Sequence, residues 1–385
     1  MPVISAPRLL VGGVLRGPGA VLHEDGRIVE VLDGRPADAA DHLALPAGIL
    51  GPGLIDLQVN GGFGVDVSSA DEAGWKTIAA ALPSTGVTAY QPTFTTAPIE
   101  MLVAGLDRAV AARQRLAVGP YARLLGVHLE GPFLSPARPG VHPPEHMRHP
   151  TSEHLDALLD GEATRGIITM LTLAPELPGA VDAVRRLVRA GIRVSLGHTD
   201  ATAAQVRAAT DAGACMVTHV FNAQRGLGHR EPGVAGQALA DGRLVVGLIA
   251  DLMHVAGEIV TVVMNAAAGR VALVTDAIAA AGMPPGRYLL GDTPVDVSTD
   301  GLPRNAAGTI AGSTLTLDCA VRNSVRVGVP AAAALEAASR VPADVLGRAD
   351  LGRIEAGARA DLVWWSEDLH PLRTWVDGQP AGVTG

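Results

Sequence analysis

Lysine is nearly missing from this sequence. Lys76 is the single lysine among 30 basic residues, and the rest are arginine. Aromatic residues fill only 3% of the 385 positions. With no basic run beside them, a stacking platform for single-stranded nucleic acid is excluded as an expectation. A formal net charge of −9 points the same way, while leaving room for a local arginine pocket around an anionic small molecule. Two cysteines, Cys215 and Cys319, are too few for a disulfide framework. Cys215 stands in the apolar run Ala214–Val217 and reads as a buried, reduced thiol. No uninterrupted apolar run reaches the ~18–20 residues of a membrane span. No N-terminal stretch combines a charged flank, an apolar segment and a cleavage site. The expected setting is therefore the cytoplasm, with no membrane and no nucleic-acid partner.

Charge is also sparse, at 18%, while 48% of the chain is hydrophobic. A disordered chain needs the reverse. A chain of this size buries roughly three quarters of its unfolded surface, so it needs no covalent staples.

Both ends of the chain read as short strands cut by glycine. Arg8–Val11, Ala20–His23 and Arg27–Val31 lie near the start, and Asp25-Gly26 is a hairpin signal. Asp361–Trp365 is strand-like near the other end, followed by the turn Val376-Asp377-Gly378. The two ends are expected to pair as a small β-sandwich domain, residues 1–50 plus 346–385. The middle, residues 51–345, alternates between apolar β-branched runs and helical patterns. The expected strands are Leu54–Asn60, Val87–Tyr90, Leu124–Glu130, Gly166–Leu173, Arg193–His198, Met216–Phe221, Val245–Asp251 and Arg270–Asp276. Helical patterns lie between them, among them Asp71–Pro83, Pro98–Ala117, Ser152–Asp160, Pro178–Ala190, Ala201–Ala212 and Ala256–Ala268. This is the pattern of an α/β fold, a closed (β/α)8 TIM-type barrel. A doubly wound open sheet is the alternative, and it is disfavoured because no GxGxxG follows the first strand.

Polar residues collect where the apolar runs stop. In a parallel barrel those stops converge on one mouth. Glu130, His198 and His219 make a two-histidine, one-carboxylate set, a standard shell for a catalytic divalent cation with one position left open. Asp276, at the end of the eighth run, is placed to act as a general base. Zn2+ is the leading candidate, with Fe2+ and Mn2+ compatible with the same shell. Gln58 and Asn60 share one face of the first strand. Amides there, where two histidines would hold a second ion, favour one metal. A carbamylated lysine on the fourth strand is ruled out because Lys76 lies far from it. His128, two residues before Glu130, reads as a supporting residue rather than a ligand.

The chain resembles the N-acetylglucosamine-6-phosphate deacetylases of the amidohydrolase superfamily. The resemblance rests on Pro52–Asp56, His128-Leu129-Glu130-Gly131-Pro132-Phe133, Gly197-His198-Thr199, Thr218–Ala223, Arg230–Gly233, His254-Val255, Leu273–Ala277 and Gly308–Ser313. It covers nearly the whole chain. It implies a barrel with an end sandwich, a metal held by Glu130, His198 and His219, and an acid/base at Asp276. It further implies that His142 contacts substrate near the scissile amide and that Asn222 and Ala223 contact the sugar. Arg230 and His254 would contact phosphate, one of them from a neighbouring subunit of a homodimer. The substrate implied is N-acetyl-D-glucosamine 6-phosphate, a small-molecule amino-sugar phosphate of amino-sugar catabolism.

The residues themselves leave other readings open. His142 shares its loop with His146 and His149, which fits a solvated polar loop. Arg230 fits a surface ion pair, and His254 fits a cap. Gln224 and the loop Arg225–His229 depart from the family pattern beside the sugar pocket. The rival functions are an N-acetylgalactosamine 6-phosphate deacetylase, an amidohydrolase acting on another amide, and a catalytically silent barrel.

Overall fold

The computed structural model describes residues 1–34, 41–161 and 166–382. Eight parallel strands form the centre: β1 (Leu54–Val59), β2 (Val87–Thr95), β3 (Val127–Glu130), β4 (Ile168–Leu173), β5 (Arg193–Leu196), β6 (Met216–Val217), β7 (Val245–Leu248) and β8 (Val271–Leu273). Neighbours pair in sequence order from β1 to β8. The ring is drawn together between β8 and β1, where Asp276 N donates to Gln58 O at 3.0 Å and Val59 bridges Ala277. Apolar side chains such as Leu57, Leu129, Leu171 and Leu196 are fully buried in one continuous core with the helices outside. The barrel expected from the alternation is the barrel observed.

The differences at strand ends have physical causes. β2 runs on to Thr95, past the expected stop at Tyr90. Pro92 lacks the N–H a central strand needs. It is accommodated where the register with β1 shifts, between Tyr90 and Pro92. β5 and β6 instead stop short of His198 and Phe221, because the backbone turns left-handed at His198 (φ 48°) and His219 (φ 25°). The expected strand Leu124–Glu130 is broken at Gly126 into Arg123–Leu124 and β3.

The helices start where capping predicts. Asp71 accepts from Gly74 N ahead of Glu72–Ala81. Thr202 and Gln205 close a capping box on Ala203–Asp211. Gly197 has no room for a side chain, since a Cβ there would stand 2.8 Å from Thr218 Cβ. That bareness lets β5 approach β6 just below the two histidines.

The chain ends form two sheets. One carries Val3–Ala6, Gly19–Glu24, Arg27–Asp33 and His42–Ala44. The other joins Arg8–Val11, Val14–Arg16 and Ile49–Pro52 to Leu362–Trp365, Pro371–Val376 and Gln379–Ala381. Ile4, Val21 and Ile28 of the first pack on Leu9, Leu50, Leu362 and Trp375 of the second in a separate core. A third small sheet was not foreseen: Gly286–Leu290, Thr293–Val297 and Pro303–Arg304, inserted after β8. It brings Leu290 to the barrel mouth. Its turn signal, Gly291-Asp292 between two apolar runs, was present in the sequence.

Candidate functional site

The mouth at the C-terminal ends of the strands holds a cavity of about 490 Å³. Glu130, the last residue of β3, is buried at its floor. His219 Nε2 lies 2.9 Å from Glu130 Oε1, and His198 Nε2 lies 3.2 Å from the same oxygen. His142 reaches in from the loop after β3, its Nε2 3.8 Å from Glu130 Oε2. The imidazoles of His142 and His198 meet edge to face at 4.4 Å, and those of His198 and His219 at 5.0 Å. Asp276 and Asn60 line the same cavity. Residues spread along the chain from 60 to 276 therefore share one small volume.

Backbone strain concentrates here. His198, His219 and Asp276 all have positive φ, at 48°, 25° and 52°. A left-handed turn costs a residue with a side chain on the order of 1 kcal/mol, and such outliers gather at functional sites. Gly140, at φ +59°, presses on His198: a Cβ there would sit 3.0 Å from the ring.

The donor set decides what the cluster fits. His198 Nδ1 lies 3.2 Å from the Arg138 carbonyl, so it carries the hydrogen. Its Nε2 faces Glu130 Oε1 at 3.2 Å, where either a second ring hydrogen or a shared cation joins the two. At His219 burial disfavours the imidazolium, but the hydrogen bond and charge of Glu130 outweigh burial and raise its pKa to about 9. Burial likewise opposes ionisation of Glu130, yet His198 and His219 hold it well below the usual carboxylate range. The set fits a divalent cation.

By distance the ligand atoms that gather within 4.8 Å of one another are those of Glu130, His142 and His198, where the expected set had His219 in place of His142. Its hydrogen bonding gives it a different task. Thr96 N–H donates to His142 Nδ1 at 3.2 Å, which puts the ring hydrogen on Nε2. Burial and the neighbouring His198 lower its pKa to about 3, so it is neutral at pH 7. A neutral ring with Nε2–H facing the cavity is a hydrogen-bond donor. The solvated-loop reading of His142 does not hold, since the side chain is buried.

Gln58 and Asn60 aim their amide N–H groups at the acids. Gln58 Nε2 donates to Glu130 Oε1 and to Asp276 Oδ1, each at 3.1 Å, and Asn60 Nδ2 donates to Asp276 Oδ1 at 2.6 Å. Both amides engage Oδ1, which leaves Oδ2 to face the cavity. Burial and the charge of Glu130 raise the Asp276 pKa to about 6. His128 lies below the site, with Nδ1 3.2 Å from Leu57 O and Nε2 2.7 Å from Thr172 Oγ1. Burial lowers its pKa to about 4, and it supports the floor as a neutral ring.

Asn222, Ala223 and His254 line the cavity, as expected for substrate contacts. His254 Nδ1 is held 2.6 Å from Asp251 Oδ2, which leaves Nε2 for a ligand. Arg230 is exposed on its loop and does not line this chain's cavity. Gln224 turns away from the sugar pocket expected beside it. Its amide donates to Thr218 O at 2.7 Å and accepts from Phe221 N at 3.2 Å, stapling the loop that carries His219. Sequence reading missed Arg138, which lines the cavity and pairs with Asp200 at 2.8 Å. It also missed Thr96, which orients His142; no local signal marks a threonine for that task.

The amidohydrolase family pattern matches residues 49–383. The chain belongs to the amidohydrolase family. It is 42% identical to an N-acetylgalactosamine-6-phosphate deacetylase of Escherichia coli O157:H7, over 87% of this chain and 88% of that protein. It is 40% identical to an N-acetylglucosamine-6-phosphate deacetylase of Homo sapiens, over 95% of this chain and 93% of that protein. The solved structure of a mutant N-acetyl-D-glucosamine-6-phosphate deacetylase from Mycobacterium smegmatis, in complex with N-acetyl-D-glucosamine-6-phosphate, superposes with a TM-score of 0.93. The two chains are 36% identical, and the match covers 99% of each. An amidohydrolase with this cluster is a metal-dependent hydrolase, and among the described residues no helix is long and apolar enough to cross a membrane.

Proposed function

We propose that the chain hydrolyses the acetamide of N-acetyl-D-glucosamine 6-phosphate to glucosamine 6-phosphate and acetate. One observation carries the reading: Asp276, Glu130 and three imidazoles meet in one cavity, with Asp276 Oδ2 and His142 Nε2–H both free to act there. Glu130, His198 and His219 would hold one divalent cation, with zinc as the expected metal. The amide donors of Gln58 and Asn60 disfavour a second. The cation supplies Lewis acidity toward the amide carbonyl and the attacking water. Asp276 Oδ2 takes the proton from water as it adds to the carbonyl. His142 Nε2–H donates to the oxyanion that develops. Asp276 then passes its proton to the amine as the C–N bond breaks, so the leaving group departs neutral.

His254, with Nε2 free, and Asn222 and Ala223 would hold the phosphorylated sugar. Arg230 lies outside its own cavity, which suits it to complete the phosphate site of the other subunit in a homodimer. Remote phosphate binding orients the amide at the reacting centre. The end sheets, residues 1–50 plus 346–385, would form a domain separate from the 51–345 barrel, and the enzyme would work in the cytoplasm.

The galactosamine epimer is the second reading, favoured by the 42% identical relative named for that substrate. Acetate release from both epimeric 6-phosphates, and from the dephosphorylated sugars, tests the choice, with metal content measured on the same sample. Equal rates with and without phosphate would defeat the phosphate assignment. No release from any of them would defeat the deacetylase reading.

A further inference from the structure

A second cavity, of about 600 Å³, lies directly behind His142. It shares Thr95, Val141, His142 and Leu290 with the cavity of about 490 Å³ at the barrel mouth. The partition between the two is therefore only side chains thick. Phe94, Ala97 and Leu102 give it an apolar inner wall, and Met101 is exposed at its rim. Asp71, Glu145 and Asp292 are exposed around it, and Arg108 and His146 line it as well.

The position of this chamber relative to the reacting atoms gives it a meaning. His254 lines the mouth cavity together with Asp276, Asn222 and Ala223. His142 stands on the far side of Glu130, next to His198. An amide held between Asp276 and His142 with its sugar toward His254, Asn222 and Ala223 directs its acyl group toward the partition. An acetyl methyl ends there. A longer alkyl chain would pass between Val141 and Leu290, which line both cavities, to reach the second one.

We propose that this enzyme also cleaves N-acyl amino-sugar 6-phosphates whose acyl group is a neutral alkyl chain longer than acetyl, such as propionyl and butyryl. The inference rests on the amide-hydrolysis reading and adds to it a binding site for the acyl tail. The reaction is the same addition of water across the amide, and it yields glucosamine 6-phosphate and the longer carboxylic acid. Burying each added methylene favours binding by roughly fourfold, against the cost of ordering the chain.

The test uses the full chain loaded with zinc and compares N-acetyl-, N-propionyl- and N-butyryl-glucosamine 6-phosphate, with the freed amine as readout. The butyryl compound is expected to keep a kcat/KM within about tenfold of the acetyl compound. Filling the chamber with Ala97→Trp is expected to lower the butyryl-to-acetyl ratio of kcat/KM about tenfold. Thr293→Trp, on the inserted hairpin away from the barrel core, should lower the same ratio if Ala97→Trp does not fold. Hydrolysis of the acetyl compound with the butyryl compound more than a hundredfold slower overturns the chamber and spares the deacetylase reading. An unchanged ratio in the folded filled variants also overturns the chamber. Failure to hydrolyse any of the three overturns both.

Discussion

Two regions of this molecule bury carboxylates, and they neutralise them in opposite ways. Near the end sheets, Asp361 is surrounded by arginine: Arg123 stands 3.5 Å away, and Arg123 and Arg359 both reach the neighbouring Asp377. At the barrel mouth no arginine touches Glu130 or Asp276 among the described contacts; their partners are histidines and amides. Arginine stays charged at every working pH, so it favours the ionised carboxylate throughout. Imidazoles and amides leave the charge adjustable, which is what a cation site and a proton carrier require. The same split appears in the backbone. At the end sheets, positive φ falls on Asp25 and Asp377, each followed by a glycine in a tight turn, and on Leu369. At the mouth it falls on the reacting groups themselves, His198, His219 and Asp276.

The largest expected effect tests the mouth. Asp276→Asn should cut acetate release by about a thousandfold, with cation and substrate binding retained. Metal analysis and substrate titration of the same variant check this, and near-normal turnover would sink the role assigned to Asp276. Next comes the contrasting site. Burial raises the Asp361 pKa to about 6, with Arg123 pulling it back. Arg123→Ala should therefore destabilise the fold by roughly 3 kcal/mol above pH 6. The loss should fade as pH falls through 6, where the folded Asp361 carboxylate becomes protonated, and urea melts at pH 4 and 8 measure it. kcat should hardly change.

A third expectation follows from the raised pKa of Asp276, about 6 against an ordinary value of 3.8. Ionising this buried group costs folding energy, so its penalty is absent below pH 4 and complete above pH 6. In the metal-free protein, Asp276→Asn should raise stability at pH 8 by on the order of 2 kcal/mol. Equal melting temperatures for both proteins at pH 8 would show that the acid carries no such strain. The smallest effect belongs to Gln224→Met. Losing two hydrogen bonds should cost about 1–2 kcal/mol and leave the glucosamine-to-galactosamine preference unchanged. A shifted preference would return Gln224 to the sugar pocket.

Much of this was legible in the chain. The eight alternations announced the barrel, and the stops at Glu130, His198, His219 and Asp276 announced the cluster, because a parallel barrel gathers its strand ends at one mouth. Asp25-Gly26 and Asp377-Gly378 announced their turns. Other features were not legible. Gln224 and Arg230 sit in one loop, and nothing in their local sequence says that the first turns inward while the second stays exposed. The hairpin Gly286–Val297 follows β8 and so falls outside the eight alternations that the periodicity marks. Pro92 hid the second half of β2.

The order of elements, the apolar periods and the identity of the candidate ligands belong to the sequence, because periodicity and residue chemistry are local properties. Which nitrogen of each histidine carries its hydrogen was decided only by the fold, through Thr96 N–H at His142 and the Arg138 carbonyl at His198. Those partners lie 46 and 60 residues from the rings they orient, and only tertiary packing sets such distances.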